Sequence, residues 1–68
     1  GMKENDFLLG RFAAAHVKTL NEQDLVAFEA LLKEPDNDLY NWVTLKQAPP
    51  AEHDTPLMAA LINFNNPT

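Results

Sequence analysis

The 68-residue chain contains no cysteine and no serine, and it contains only two glycines and five basic residues. Without cysteine, neither a disulfide framework nor a thiolate zinc site can stabilise the fold, which must therefore depend on helix packing. The absence of serine excludes a serine nucleophile, and two isolated glycines exclude a glycine-rich phosphate loop. No apolar run approaches the ~20 residues that a membrane-spanning helix needs, so we expect no membrane insertion.

The charge balance is acidic, with ten Asp and Glu against five Lys and Arg and a formal net charge of −5. Binding to nucleic acid requires basic side chains that replace counterions on the phosphates, and the few basic residues here are scattered. The same shortage disfavours anionic membrane surfaces and a helix-turn-helix regulator with a basic recognition helix. The composition therefore indicates a small domain that binds neither nucleic acid nor membranes.

Hydrophobic spacing predicts an all-α fold, a small antiparallel bundle of four to five helices in a single domain that spans residues 1–68. The first helix is predicted from about Lys3 to Val17. The second is predicted from Asn21 to about Glu34, with Asn21 and Asp24 as a capping box and Pro35 as the terminator. The third begins at an Asp36 N-cap, and the fourth begins at Pro56 after an Asp54 or Thr55 cap.

Apolar residues at helical spacing give the candidate core. Gly10 interrupts the first helix at a cost of about 1 kcal/mol relative to Ala, so we expect tight packing or a close neighbour there. Met58 and Ile62 are either core residues or an exposed contact for a partner. The predicted core faces comprise Leu8, Leu9, Phe12, Ala15 and His16; Leu25, Phe28, Leu31 and Leu32; Leu39, Trp42 and Val43; and Leu57, Ala60, Leu61 and Phe64.

No group of residues forms a recognisable catalytic site. His16 and His53 lie on separate predicted elements without a metal-ligand spacing, so we expect no metal. Carboxylates two residues apart, such as Asp36 and Asp38, do not share a helix face and are better explained by helix capping and the helix dipole. We therefore expect a protein without enzymatic activity, in which Trp42 is core.

Two segments nevertheless resemble a known family. The run from Gly1 to Asp6, followed by Leu8-Leu9, resembles the N-terminal Arg-Gly-x-x-Glu motif of the FAD assembly factors of succinate dehydrogenase (SdhE-like proteins). The run Pro35-Asp36-Asn37-Asp38-Leu39-Tyr40-Asn41-Trp42 is similar to the family's second signature, Asp-x-Asp-Leu-aromatic-x-Trp. The resemblance covers nearly the whole chain.

The resemblance implies a five-helix bundle that binds the flavoprotein subunit of succinate dehydrogenase, or of fumarate reductase, and promotes covalent attachment of FAD to a histidine of that subunit. It implies that FAD is attached to the partner and is not held stably by this chain. We expect a monomer or a weak dimer, since Met58 and Ile62 leave dimerisation possible, and we expect the protein in the bacterial cytoplasm. An antitoxin-like module paired with a small membrane toxin is the alternative. The implied partner-binding residues are Gly1, Lys3, Glu4, Asp6 and Tyr40, and the implied structural signature is Asp36, Asp38, Leu39 and Trp42.

The sequence departs from the first motif at one place, because the Arg of the motif would precede Gly1. Two interpretations of Gly1 stay open. If Gly1 is the glycine of the motif and the native chain continues upstream, the motif is complete. If the native chain begins at Met2, the motif lacks both Arg and Gly, and its role in flavinylation is in doubt.

Overall fold

The computed structural model describes residues 3–67, and within that range it contains four α-helices, one short 3₁₀ helix and no strand. The predicted all-α class is therefore confirmed. No helix among these residues is long and apolar enough to cross a bilayer. The elements are α1 (Lys3–His16), α2 (Glu22–Leu32), α3 (Asp36–Val43), the 3₁₀ helix (Ala51–His53) and α4 (Pro56–Asn65).

The starts of α2 and α4 follow the sequence signals. The Asp24 backbone N–H donates to Asn21 Oδ1 at 2.8 Å, and the Asn21 N–H donates to Asp24 Oδ2 at 3.2 Å, which completes the predicted capping box. At α4, the Met58 N–H donates to Thr55 Oγ1 at 3.1 Å, and Pro56 is the first helical residue. Side-chain oxygens thus satisfy backbone donors that have no partner within the helix.

The predicted Asp36 N-cap is wrong, because Pro35 is the N-cap of α3 and Asp36 is its first helical residue. Pro35 has an extended backbone (φ −59°, ψ 141°), and its carbonyl accepts a hydrogen bond from the Leu39 N–H at 3.1 Å. The fixed φ of proline suits the residue just before a helix, so α3 begins at Asp36. With Asp36 as the N-cap, the helix would begin one residue later. Asp36 therefore places its negative charge in the first turn, where it suits the helix dipole.

All four α-helices contribute to one hydrophobic core. The predicted core residues Leu9 and Phe12 of α1 and Leu39, Trp42 and Val43 of α3 are all buried. Leu31 is the only residue of α2 that is fully buried within the described chain. The core is completed from α4, whose buried residues are Leu57, Met58 and Leu61.

Three predicted core positions are wrong, because Ala15, Leu25 and Leu32 are exposed. Leu25 and Leu32 belong to an apolar stripe that α2 turns only partly toward the bundle, leaving them 44% and 56% exposed. Met58 is 1% exposed, so its interpretation as an exposed contact is also wrong. Among residues 3–67, α2 carries three exposed large apolar side chains (Leu25, Val26 and Leu32), whereas α4 carries none.

The end of α3 has an unusual backbone conformation at Leu45, whose φ is +65°. The Leu45 N–H bonds to the Trp42 carbonyl at 3.2 Å, and the Lys46 N–H bonds to the Asn41 carbonyl at 2.8 Å. These two bonds form a Schellman motif, in which the residue at the position of Leu45 is usually glycine. Leu45 therefore holds a left-handed conformation that its side chain disfavours.

Candidate partner-binding surface

A hydrogen bond between α1 and α3 brings the two signature segments together. Asn5 lies on the buried face of α1 with Leu9 and Phe12, and only 4% of its surface is exposed. Its Nδ2 donates to the backbone carbonyl of Asp36 at 2.8 Å. The first turn of α1 is thereby fixed against the first turn of α3. The spacing of Asn5 from Leu9 and Phe12, four and seven residues, was the sequence signal that this Asn is buried.

The predicted binding residues of α1 surround this bond on the outside. Lys3, Glu4 and Asp6 are all exposed in the first turn and a half of the helix, whereas Gly1 lies outside the described residues. Phe7, 60% exposed, follows them, and the Arg11 guanidinium carbon lies 5.1 Å from the centre of its ring. The start of α1 therefore presents two carboxylates and an ammonium group to solvent, beside an exposed aromatic ring.

The residues of the second signature divide into buried and accessible groups. Leu39 and Trp42 are 2% and 8% exposed, which fits a structural role. Asp38 is exposed and Asp36 is half-buried. Tyr40 is also half-buried, and the Lys46 ammonium group lies 5.0 Å from the centre of its ring. Because Asp36 and Tyr40 are four residues apart, they share a side of α3, and binding by these residues stays a prediction.

His53 is buried in the 3₁₀ helix, which lies between α3 and α4. Its Nε2 lies 2.5 Å from Glu34 Oε2, and its ring centre lies 5.4 Å from that of Trp42. Because a carboxylate accepts hydrogen bonds, Nε2 is the nitrogen that carries the hydrogen in this pair. Glu34 and His53 are 19 residues apart, and no local pattern links them.

Glu52 adds a third potential metal ligand to this pair, since one ligand atom from each of Glu34, Glu52 and His53 lies within 4.8 Å of the others. Ligand atoms that share a tetrahedral zinc ion at about 2.0–2.2 Å would stand about 3.3 Å apart. The 2.5 Å separation of His53 and Glu34 is that of a hydrogen bond. The geometry therefore fits a hydrogen bond that fastens the 3₁₀ helix to the end of α2.

An open groove of about 260 Å³ lies between α1 and α2. Small-molecule sites usually enclose about 300–1,000 Å³ and include several convergent polar groups. Among residues 3–67, Asp6 is the only charged residue that lines this groove, and a carboxylate would repel the phosphates of FAD. The groove therefore does not fit FAD. Its lining residues are Asp6, Leu9, Gly10, Ala13, Phe28 and Leu32.

The comparisons with known proteins agree on one family. A family model described as flavinator of succinate dehydrogenase matches residues 1–65. Succinate dehydrogenase assembly factor 2, mitochondrial, of Dictyostelium discoideum is 41% identical over 85% of this chain and 41% of its own length. Factor 2-A of Drosophila willistoni is 40% identical over 90% of the chain and 40% of its own length. Factor 2 of Meyerozyma guilliermondii is 46% identical over 65% of the chain and 33% of its own length. No solved structure matches the chain.

These matches confirm the resemblance, and the chain spans about two fifths of the length of the first two relatives. The family is named for assembly and not for catalysis, which confirms the expectation of a protein that is not an enzyme. The antitoxin-like alternative finds no support in these names. The expected localisation in the bacterial cytoplasm is wrong, because these relatives are mitochondrial proteins of eukaryotes. Fumarate reductase as a second partner stays a prediction.

Proposed function

The chain belongs to the flavinators of succinate dehydrogenase, a family of assembly factors, and we propose that it binds the flavoprotein subunit of that enzyme and promotes covalent attachment of FAD to it. The family match over residues 1–65 carries the proposal, since it includes both signature segments. The names of the relatives support it, because each is an assembly factor of succinate dehydrogenase.

The proposed contact surface is the start of α1 together with the accessible side of α3. Lys3, Glu4 and Asp6 are exposed without forming part of the core, so they are available to a partner. Tyr40 extends this surface along α3, and the motif match alone adds Gly1, which lies outside the described residues. The hydrogen bond from Asn5 to the Asp36 carbonyl holds the two helices in register, which lowers the entropy lost when both bind the same partner.

In this proposal the chain contributes binding and not chemistry. It stabilises a conformation of the flavoprotein in which FAD and the acceptor histidine are close together, and the flavoprotein itself carries out the attachment. FAD is a substrate of the flavoprotein and is not retained by this chain. The absence of serine and cysteine from the sequence supports this division, because it removes the commonest side-chain nucleophiles.

The test is covalent flavin fluorescence of the flavoprotein subunit in a denaturing gel, in a host that lacks its own assembly factor. The host expresses this chain, with and without Arg-Gly ahead of Met2, or the chain with Glu4→Gln. We expect Glu4→Gln to lower the fluorescence at least about tenfold, because one lost charge-assisted contact costs about 1.5–3 kcal/mol. The matched control is Glu22→Gln, which changes an exposed acid in the first turn of α2 and should leave the fluorescence unchanged.

Equal fluorescence with Glu4→Gln and the unchanged chain would remove Glu4 from the contact surface. Flavin attachment only with the added Arg-Gly would show that the complete motif is needed. A dark gel from all chains, with the protein folded by circular dichroism, would refute the proposed function. Transfer of FAD to an unrelated acceptor peptide by this chain would refute the proposal that the flavoprotein itself carries out the attachment, because the chain would then act as an enzyme.

A further inference from the structure

Gly10 lines the groove between α1 and α2, and no atom of the described chain fills the space where a side chain would lie. A Cβ atom built at Gly10 would meet no heavy atom within 4 Å, and the residue has no positive φ. The expectation of tight packing at Gly10 within the chain is therefore wrong. Glycine in the middle of a helix costs about 1 kcal/mol relative to Ala, and neither backbone conformation nor internal packing explains it here. The missing side chain instead leaves room for atoms of another molecule.

The groove belongs to a longer apolar strip on both helices. On α1, Gly10 and Ala13 share a face with Val17, which lies just after the helix and is 65% exposed. On α2, Leu25 and Leu32 flank Phe28 and are 44% and 56% exposed. The α1 side from Asp6 to Val17 is about 16 Å long at 1.5 Å per residue, which is the length of three helical turns.

Asp6 gives the strip a polar end and joins it to the start of α1. It is the charged residue of the groove lining, and it is exposed in the same turn of α1 as Lys3 and Glu4. A molecule that covered the strip would bring a cation to Asp6 or would leave this carboxylate desolvated without a partner, which is costly. The expected occupant is therefore apolar along one face and basic at one end.

We infer that the groove receives an amphipathic α-helix of the flavoprotein, with apolar side chains between α1 and α2, a bulky one over Gly10, and a Lys or Arg beside Asp6. The inference rests on the proposed function, because Asp6 belongs both to the groove and to the proposed contact surface at the start of α1. It adds a second contact region to the same partner. Helices that lay an apolar face into a hydrophobic groove are a common mode of recognition.

A second copy of the chain fits the groove less well. Each copy carries a net charge of −5, so that two copies repel each other.

The experiment compares the affinities of two variants for the purified flavoprotein subunit without FAD. Gly10→Leu fills the floor of the groove, whereas Ala14→Leu adds similar bulk at an exposed position of α1 outside the lining. We expect Gly10→Leu to raise Kd at least about 30-fold, the effect of a lost contact of about 2 kcal/mol, and Ala14→Leu to leave Kd within about twofold. Leu32→Gln removes apolar area from the rim without adding bulk and should also raise Kd. Circular dichroism and thermal unfolding establish that each variant is folded.

A crosslinker at residue 32 then identifies the segment of the flavoprotein that lies in the groove. We expect a helix with a basic residue, and we expect exchange of that residue for Glu to restore binding of Asp6→Lys. If Gly10→Leu, Leu32→Gln and Ala14→Leu all bind like the unchanged chain while Glu4→Gln binds weakly, the groove inference fails and the proposed function stands. If the unchanged chain does not bind the flavoprotein, both fail. If the unchanged chain is a dimer that Gly10→Leu dissociates, the occupant is a second copy and the inference is wrong.

Discussion

Asn5 places a polar amide inside the apolar side of α1, and its two polar atoms have different environments. Nδ2 donates to the Asp36 carbonyl at 2.8 Å, whereas Oδ1 is buried without a hydrogen-bond partner among residues 3–67. A buried polar atom without a partner destabilises a fold, so the bond from Nδ2 has to offset that cost. Asn5 is therefore better explained as a residue that fixes the relative position of two helices than as a source of stability.

We predict that Asn5→Asp lowers the free energy of unfolding by about 1–3 kcal/mol, because it replaces the donor that faces the Asp36 carbonyl with an acceptor. Urea unfolding at neutral pH measures this loss. The control, Asn37→Asp, makes the same chemical change at an exposed position in the first turn of α3, and should change the stability by no more than about 0.5 kcal/mol. Equal losses for the two variants would contradict the role given to Asn5.

At the scale of the element, the sequence predicts a helix better than it predicts which face is buried. Capping residues predicted the starts of α2 and α4, because the signal is local and its hydrogen bonds span three residues. The apolar stripe of α2 predicted burial of Leu25 and Leu32, which are exposed. An apolar stripe has the same spacing whether it contacts its own core or a partner. Only the packing of the neighbouring helices shows which residues of the stripe are buried in the core.

The end of α3 offers a gain in stability. We predict that Leu45→Gly raises the free energy of unfolding by about 0.5–1 kcal/mol. Glycine avoids the cost of about 1–2 kcal/mol of a left-handed conformation. Part of this gain is lost because glycine makes the unfolded chain more flexible, which lowers stability. Leu45 is 59% exposed, so little burial is lost. Thermal unfolding should show a rise of several degrees. Leu45→Ala retains a Cβ atom and should give no such rise; an equal rise would mean that the exposed side chain, and not the backbone, is responsible.

At the scale of the whole molecule, the core is small, so individual contacts between segments far apart in the sequence contribute a large share of the stability. A chain of this length buries only about 60% of its unfolded surface. The pair of Glu34 and His53 connects the end of α2 to the 3₁₀ helix, and their side chains are 29% and 8% exposed. The loop after α3 is thereby held against the bundle. Sequence spacing could not predict this contact, since it depends on where both segments lie in the finished fold.

We predict that Glu34→Gln and His53→Phe are coupled in a double-mutant cycle by at least about 0.5 kcal/mol, as expected for residues in direct contact. Phe retains a ring beside Trp42, so that the cycle measures the polar contact. The control cycle pairs His53→Phe with Glu52→Gln, an exposed neighbour in the same cluster, and should show no measurable coupling. Equal coupling in both cycles would mean that the cluster acts through its total charge and not through this hydrogen bond.

The ring contact between Trp42 and His53 gives the molecule an internal optical reporter. Trp42 is the only tryptophan in the chain, and its indole lies 5.4 Å from the imidazole of the 3₁₀ helix, measured between ring centres. The emission spectrum of the unlabelled protein therefore reports on a single place, where α3 meets the segment after it. Detachment of the 3₁₀ helix would let water reach the indole and shift its emission to the red, even while the four α-helices keep their circular dichroism. Local opening and global unfolding can thus be followed separately in one cuvette.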